Sequence, residues 1–345
     1  MKDIKNFTLV ELTEELKVFL REEYRAKQLF QWIYKKGIED FSNMTNISVE
    51  FRNFIQKNYY LNRLELIKIA ESKDGTEKYL FGLEDQNLIE SVLIFSGKRV
   101  TECISSQVGC KYNCLFCESG KNGFIRNLSI SEILNQVLFV KKRKKFTPHN
   151  LVFMGIGEPL DNYDNVVKAI YILNSKDAFN IGTRKITVST CGIIPAIKKL
   201  CELNWQIELS VSLNAPENKL RSHLMPVNNK YPLHSLIESC RIYARETNRQ
   251  VTFEYILIKG VNDSVNYAEQ LAKLVGGFNC KVNLIAFNPS PYSSLQPSEY
   301  TQINHFKNKL ITNGIHTTIR QSKGGDINAA CGQLKSLFQR KINFH

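Results

Sequence analysis

From about residue 99 onward, short β-branched or apolar runs alternate with longer stretches of helical period, and no other feature of the chain restricts its fold so strongly. The strand-like runs are RVTECIS (99–105), NLVFM (150–154), RKITVST (184–190), QIELSVSL (206–213), QVTFEYILI (250–258) and CKVNLIAF (280–287). Helical segments lie between them near 129–142, 162–174, 193–203, 231–247 and 263–275, with a last one near 298–313. Repeated right-handed crossovers through helices force parallel pairing. The pattern therefore predicts an α/β fold in which six units curl into a partial (β/α)6 barrel that stops short of the full TIM type. Ligands in such sheets gather at the carboxyl ends of the strands, so a functional motif should fall just after a strand.

The first ninety residues read differently. EYRAKQLFQWIYKK places Phe30, Ile33 and Tyr34 on one helical face, and SVEFRNFIQKNYY does the same with Phe51, Phe54 and Ile55. EKYLFGLEDQNLIESVLIF reads as two strands around a turn at Glu84–Asn87. The expected organisation is a small N-terminal helical-plus-hairpin module over 1–96, the core barrel over 97–320, and a C-terminal loop over 321–345.

Nine cysteines in 345 residues, in a chain with no apolar leader and no stretch of eighteen apolar residues, suggest a cytoplasmic protein whose thiols stay reduced. No membrane association is expected. Four of the cysteines, Cys103, Cys110, Cys114 and Cys117, stand within fifteen residues, and a further one, Cys331, lies far downstream in NAACGQL. Clustered thiols in a reducing compartment point to a metal or to catalysis. The net charge of +13 favours a polyanionic partner. Candidate phosphate contacts are KKRKK at Lys141–Lys145, together with Arg25, Lys27, Lys35 and Lys36.

Cys110, Cys114 and Cys117 form C-x3-C-x2-C in the loop after the first barrel strand. Three thiolates on one short loop can bind three irons of a cubane cluster and leave the fourth iron open. A structural zinc would need a fourth ligand, and no second CxxC or His pair stands nearby.

This spacing, with Phe116 before the last cysteine, resembles the radical S-adenosylmethionine (SAM) superfamily. SSQVGC, NGFIRNLSISEI, MGIGEPL, RSHLMPVN and DINAACGQL resemble the RlmN/Cfr family of ribosomal RNA adenine methyltransferases, in order from about residue 20 to 335. The resemblance implies one 4Fe-4S cluster on Cys110, Cys114 and Cys117 and two SAM molecules per turnover. It assigns SAM contacts to Gly157, Glu158, Ser189, Ser212, Leu213, Asn214 and Asn288. It makes Cys331 the methyl carrier. One SAM methylates its sulfur, and a second yields the radical that removes a hydrogen from that methyl, so that the resulting methylene radical adds to the adenine. Cys103 then attacks Cys331 in a transient disulfide that releases product, and Glu90 takes the ring proton.

The resemblance also implies 23S ribosomal RNA as substrate, with transfer RNA as a second candidate, and a one-electron donor such as flavodoxin; a monomer is expected. NGFIRNLS looks closer to the C2 branch than to the C8, antibiotic-resistance branch, which is the alternative. From another class, a zinc-bearing RNA-binding protein without catalysis is the second alternative. Two positions depart from the family pattern: Glu118, where a small residue is usual, and Asn214, where the family has histidine. The departures raise a third reading, a degenerate homologue kept for ribosome binding. Cys191, Cys201, Cys240 and Cys280 read as packing residues.

Overall fold

In the computed structural model, which describes residues 1–17, 19, 23–121, 123–289 and 293–327, ten strands form one sheet in strict chain order. They are β1 (Glu65–Glu71), β2 (Glu77–Gly82), β3 (Leu88–Ser96), β4 (Arg99–Cys103), β5 (Asn150–Phe153), β6 (Ile186–Thr190), β7 (Glu208–Ser212), β8 (Val251–Leu257), β9 (Cys280–Ala286) and β10 (Thr317–Arg320). Pairing is antiparallel from β1 to β4 and parallel from β4 to β10. The six expected βα units are all present, and the sheet curls as an open barrel. Not legible beforehand were β1 and β10 at the two edges, a short parallel pair, Lys2–Asp3 with Tyr59–Tyr60, and a small antiparallel pair, Gln107–Gly109 with Phe124–Asn127, that brackets the cysteine loop. β1 is largely exposed and β10 is only four residues long, so neither carries a clear period.

Helices α1 (Leu9–Leu16), α2 (Glu23–Gln31) and α3 (Val49–Asn58) form the N-terminal unit. α4 (Glu118–Lys121), α5 (Ile130–Lys144), α6 (Tyr163–Asn174), α7 (Ile194–Glu202), α8 (Asn218–Leu224), α9 (Leu233–Thr247), α10 (Val265–Val275) and α11 (Tyr300–Thr312) belong to the barrel. α5 begins with a capping box, Ser129 and Glu132 each satisfying the other's backbone N–H, and buries Ile133, Leu134, Val137 and Val140 against the sheet. Among the described residues no helix is long and apolar enough to cross a membrane.

The N-terminal unit is locked onto α5 by buried polar contacts. Lys5 Nζ donates to Asn62 O and Asn135 Oδ1, both at 2.8 Å, and the Tyr34 hydroxyl donates to Lys5 O at 2.9 Å. Burial lowers the Lys5 pKa to about 8. Within KKRKK, Lys142, Arg143 and Lys145 are exposed, and four of the five basic groups lie against acceptors of the N-terminal residues and the first two strands. Lys141 donates to the carbonyls of Tyr34 and Lys35 (2.8 and 2.9 Å), Lys142 pairs with Glu39 (2.6 Å), Arg143 lies 3.9 Å from Glu71, and Lys144 pairs with Glu77. The run looked unbalanced only because its partners stand far away in sequence. Lys27 likewise pairs with Asp177 (3.4 Å), and Lys36 lies over the Trp32 ring.

The two edges of the sheet meet through a polar clasp. Ser72, just past β1, donates to Asp326 at 2.5 Å, Lys73 N donates to the same carboxylate at 3.1 Å, and Gly324 N donates to Asp74 at 2.9 Å. The Ser72 bond lowers the Asp326 pKa, and the Gly324 bond lowers that of Asp74. Both carboxylates therefore hold the clasp above the usual carboxylate range and release it as pH falls through their depressed values. In the Asp326→Ala variant, amide hydrogen exchange across residues 72–76 and 317–327 should accelerate at least several-fold with the rest unchanged.

Glu102, on β4, is fully buried, and among the described residues neither of its carboxylate oxygens has a hydrogen-bond partner. Burial pushes its pKa up from 4.5 to about 8. The folded chain thus keeps a proton that the unfolded chain loses, and stability contributed by this group falls as pH rises from about 4.5 to about 8. Urea unfolding of Glu102→Met should show a gain of roughly 2–4 kcal/mol at pH 8 and a smaller gain near pH 5.

Candidate active site

A cavity of about 360 Å³ opens at the carboxyl ends of the strands. It is lined by Cys110, Cys114, Cys117, Gly157, Glu158, Ser189, Ser212, Asn214, Asn288, Glu90 and Cys103. Eleven positions spread from 90 to 288 thus share one chamber. Of the remaining expected site residues, Leu213 is buried in the core rather than on the cavity wall, and Cys331 lies outside the described residues.

Glu90 is buried (3% exposed) although a strand carboxylate ordinarily faces water. β3 lies inside the sheet between β2 and β4, and Glu90 and Val92 share the face that lines the cavity. Val92 is in register with Cys103 at the end of β4, so the carboxylate and the thiol occupy neighbouring strands on one wall. Ser105 Oγ donates to Glu90 O (2.6 Å) and accepts from Ile156 N (2.8 Å), tying β3 to the turn after β5.

The cysteine loop is held at both ends. Cys110 N donates to Gly123 O (2.9 Å), and Leu115 N donates to Leu224 O (2.9 Å) at the end of α8. Gly109 has φ +74°, and a Cβ there would lie 1.9 Å from Gly123 O, so only glycine lets the two arms close. Burial is the main cause pushing the Cys110 thiol up to about 12, and it raises Cys114 as well. Such thiols give up their protons when a cationic metal centre arrives. Among the described residues no three His, Cys, Asp or Glu side chains converge on a point where one ion could sit. Cys110, Cys114 and Cys117 line one cavity, and three thiols are the number of protein ligands a cubane cluster with one open iron takes.

The GIGE turn after β5 supplies the opposite wall. Gly157 has φ +101°, and a Cβ would meet the Gln107 side chain at 2.4 Å. Gln107 Oε1 in turn accepts from Glu158 N (2.8 Å). Glu158 is buried, and its carboxylate accepts from Leu160 N (3.0 Å) and Cys191 N (2.7 Å); burial raises its pKa against these bonds. A carboxylate has room for further donors beyond these two, so Glu158 can brace the turn and still face an amine. Cys191, expected to be a packing residue, is buried but lines the cavity beside Glu158. Cys240 and Cys280 are buried and Cys201 half-buried in the surrounding elements.

Neither departure from the family pattern leaves an unmatched group. Asn214 adopts φ +58°, a left-handed conformation that asparagine tolerates better than most residues. Its Oδ1 accepts from Ile256 N (2.8 Å), and its Nδ2 donates to Met225 Sδ (3.2 Å), joining the ends of β7 and β8. Glu118 is paired with Lys121 at 2.7 Å, so its charge at the cavity wall is met. Asn288 donates to Ser322 Oγ (3.0 Å). A residue that sequence reasoning left without a role is Arg221, in RSHLMPVN: it is fully buried behind this wall.

Comparison with known proteins agrees with this geometry. Residues 104–274 match the family model described as radical SAM superfamily, and residues 2–61 match the ribosomal RNA large subunit methyltransferase N-terminal domain. The chain is 47% identical, over 99% of both chains, to a probable dual-specificity RNA methyltransferase RlmN of Clostridium novyi. It is 46% identical to the protein of that name from Petrotoga mobilis, over 93% of each. A radical SAM methyltransferase from Sphaerobacter thermophilus superposes with a TM-score of 0.92 at 42% identity, covering 96% of this chain and 99% of that one. The radical SAM fold implies SAM and a 4Fe-4S cluster as cofactors.

Proposed function

This chain belongs to the RlmN family of radical SAM methyltransferases, and from that premise we propose that it methylates C2 of an adenine in 23S ribosomal RNA, with transfer RNA as a second substrate. The observation that carries the reading is one cavity holding the cysteine triplet, a separate thiol and a buried carboxylate together. Cys110, Cys114 and Cys117 would hold the cluster, and the turn at Gly157–Glu158 with Ser189, Ser212, Asn214 and Asn288 would hold SAM. Bound together, cluster and SAM supply one-electron cleavage to a carbon radical able to remove an unactivated hydrogen.

The chain's own groups do the rest. The Cys331 thiolate takes a methyl group from one SAM by displacement, and that methyl loses a hydrogen to the radical made from a second. The methylene joined to both sulfur and the adenine ring is freed when Glu90 accepts the ring proton and the Cys103 thiolate bonds to the Cys331 sulfur as the carbon–sulfur bond breaks. The freed carbon takes up a proton to become the methyl group, the adduct's unpaired electron passes back to the one-electron carrier, and the disulfide is later reduced by an external thiol. An electron-poor ring carbon gives a cation-like methyl nothing to attack, which is why direct transfer from SAM would fail there. The basic excess supplies backbone affinity, and the adenine must leave its stack to reach the cavity. A monomer with a flavodoxin-like electron donor suffices for this scheme.

Peptide mass spectrometry checks the carrier. Protein incubated with SAM but no RNA should hold one methyl on Cys331 and pass it to RNA on addition of RNA, SAM and reductant. Methylated RNA produced with Cys331 unmodified throughout would overturn the assignment.

A further inference from the structure

Arg221, on α8, is fully buried, and every acceptor its guanidinium meets is neutral: Leu213 O (3.1 Å), Asn228 Oδ1 (3.0 Å), Cys191 O (2.7 Å) and Ser212 O (3.0 Å). Among the described residues no carboxylate pairs with it. A buried cation without a counter-charge is strongly unfavourable, and neutral hydrogen bonds replace only part of its lost hydration. Glu158, the buried acid of the cavity wall, has its oxygens on the N–H groups of Leu160 and Cys191. The ionisable groups whose charge would favour the guanidinium are thiols, Cys191, Cys114 and Cys240.

Its position explains what it faces. Arg221 bonds the carbonyl of Cys191, a residue of the cavity wall, and one turn further along α8 Leu224 O accepts from Leu115 N, between Cys114 and Cys117. The cation therefore stands directly behind the cysteine loop, in a dry environment where charge acts over several ångströms with little screening.

We propose that Arg221 is a positioning residue that serves as the counter-charge of the iron–sulfur cluster and makes the cluster easier to reduce. A cubane on three thiolates carries one net negative charge in its oxidised state and two after accepting an electron from an external low-potential reductant. A fixed cation attracts the second state more strongly than the first, so it raises the reduction potential. The inference rests on the reading that Cys110, Cys114 and Cys117 bind the cluster.

The test is an anaerobic redox titration of cluster-loaded full-length protein followed by electron paramagnetic resonance. Arg221→Met removes the charge. Asn228→Asp leaves the guanidinium in place and gives it a carboxylate, while Arg221→Lys keeps the charge and loses the fork. Arg221→Met and Asn228→Asp should both move the midpoint to more negative potential and cut the fraction reduced by a fixed amount of dithionite several-fold, with Arg221→Lys close to wild type. If Arg221→Met fails to fold, Asn228→Asp against Arg221→Lys decides. A wild-type potential in Asn228→Asp, or a shift in Arg221→Lys as large as in Asn228→Asp, would overturn the proposal. A wild-type protein that takes up no cluster would instead overturn the cluster reading on which it stands.

Discussion

Cys114→Ala is expected to leave a folded protein that binds little iron and cleaves SAM no faster than a protein-free mixture. Cys114 lines the cavity, and its bond within the loop is a backbone one that alanine keeps, Cys114 O accepting from Cys117 N (3.0 Å), while the loop ends are held through Cys110 N and Leu115 N. Losing one partly buried sulfur costs about 1 kcal/mol, a small fraction of the stability of a domain this size. Removing one of three thiolates, by contrast, leaves a cubane held by two. The measurements are iron and sulfide content and 5′-deoxyadenosine release after reconstitution, with circular dichroism as the folding control. A variant that keeps full iron and SAM cleavage would move the cluster to other residues.

Cys103→Ala is expected to stop turnover at a covalent protein–RNA adduct, with free methylated product falling to less than one per protein. Cys103 ends β4 on the same wall as Glu90 and takes no part in the cysteine loop. In the proposed sequence its sulfur is needed only after the carbon–carbon bond to the adenine has formed. The adduct should appear as a band of reduced mobility that nuclease digestion collapses. Multiple turnovers by this variant would remove Cys103 from the release step.

Much of this site was legible in the sequence because its parts are local. The βα alternation places GIGE after β5, Ser212 at the end of β7 and Asn288 after β9, and the cysteine spacing announces its own chemistry. What was hidden depends on convergence. Arginine in a short helical segment reads as exposed, and Arg221 is buried only because the carbonyls of Cys191, Ser212 and Leu213 meet around it. The basic run that ends α5 reads as uncompensated charge until Glu39, Glu71 and Glu77 arrive from the N-terminal unit and the first two strands. Leu213 sits in a strand-end motif whose neighbours reach the cavity, but the alternation of the strand turns it into the core. Cys191 reads as packing because nothing in its local sequence places it beside Glu158.

The central claim is that this cavity builds a methyl group onto adenine C2. Nucleoside mass spectrometry against authentic standards tests it most directly, using unmodified large-subunit RNA incubated anaerobically with cluster-loaded protein, SAM and a one-electron reductant. The account predicts 2-methyladenosine. Finding 8-methyladenosine would contradict the carbon assigned, and finding no methylated adenosine while SAM is cleaved would contradict the claim itself.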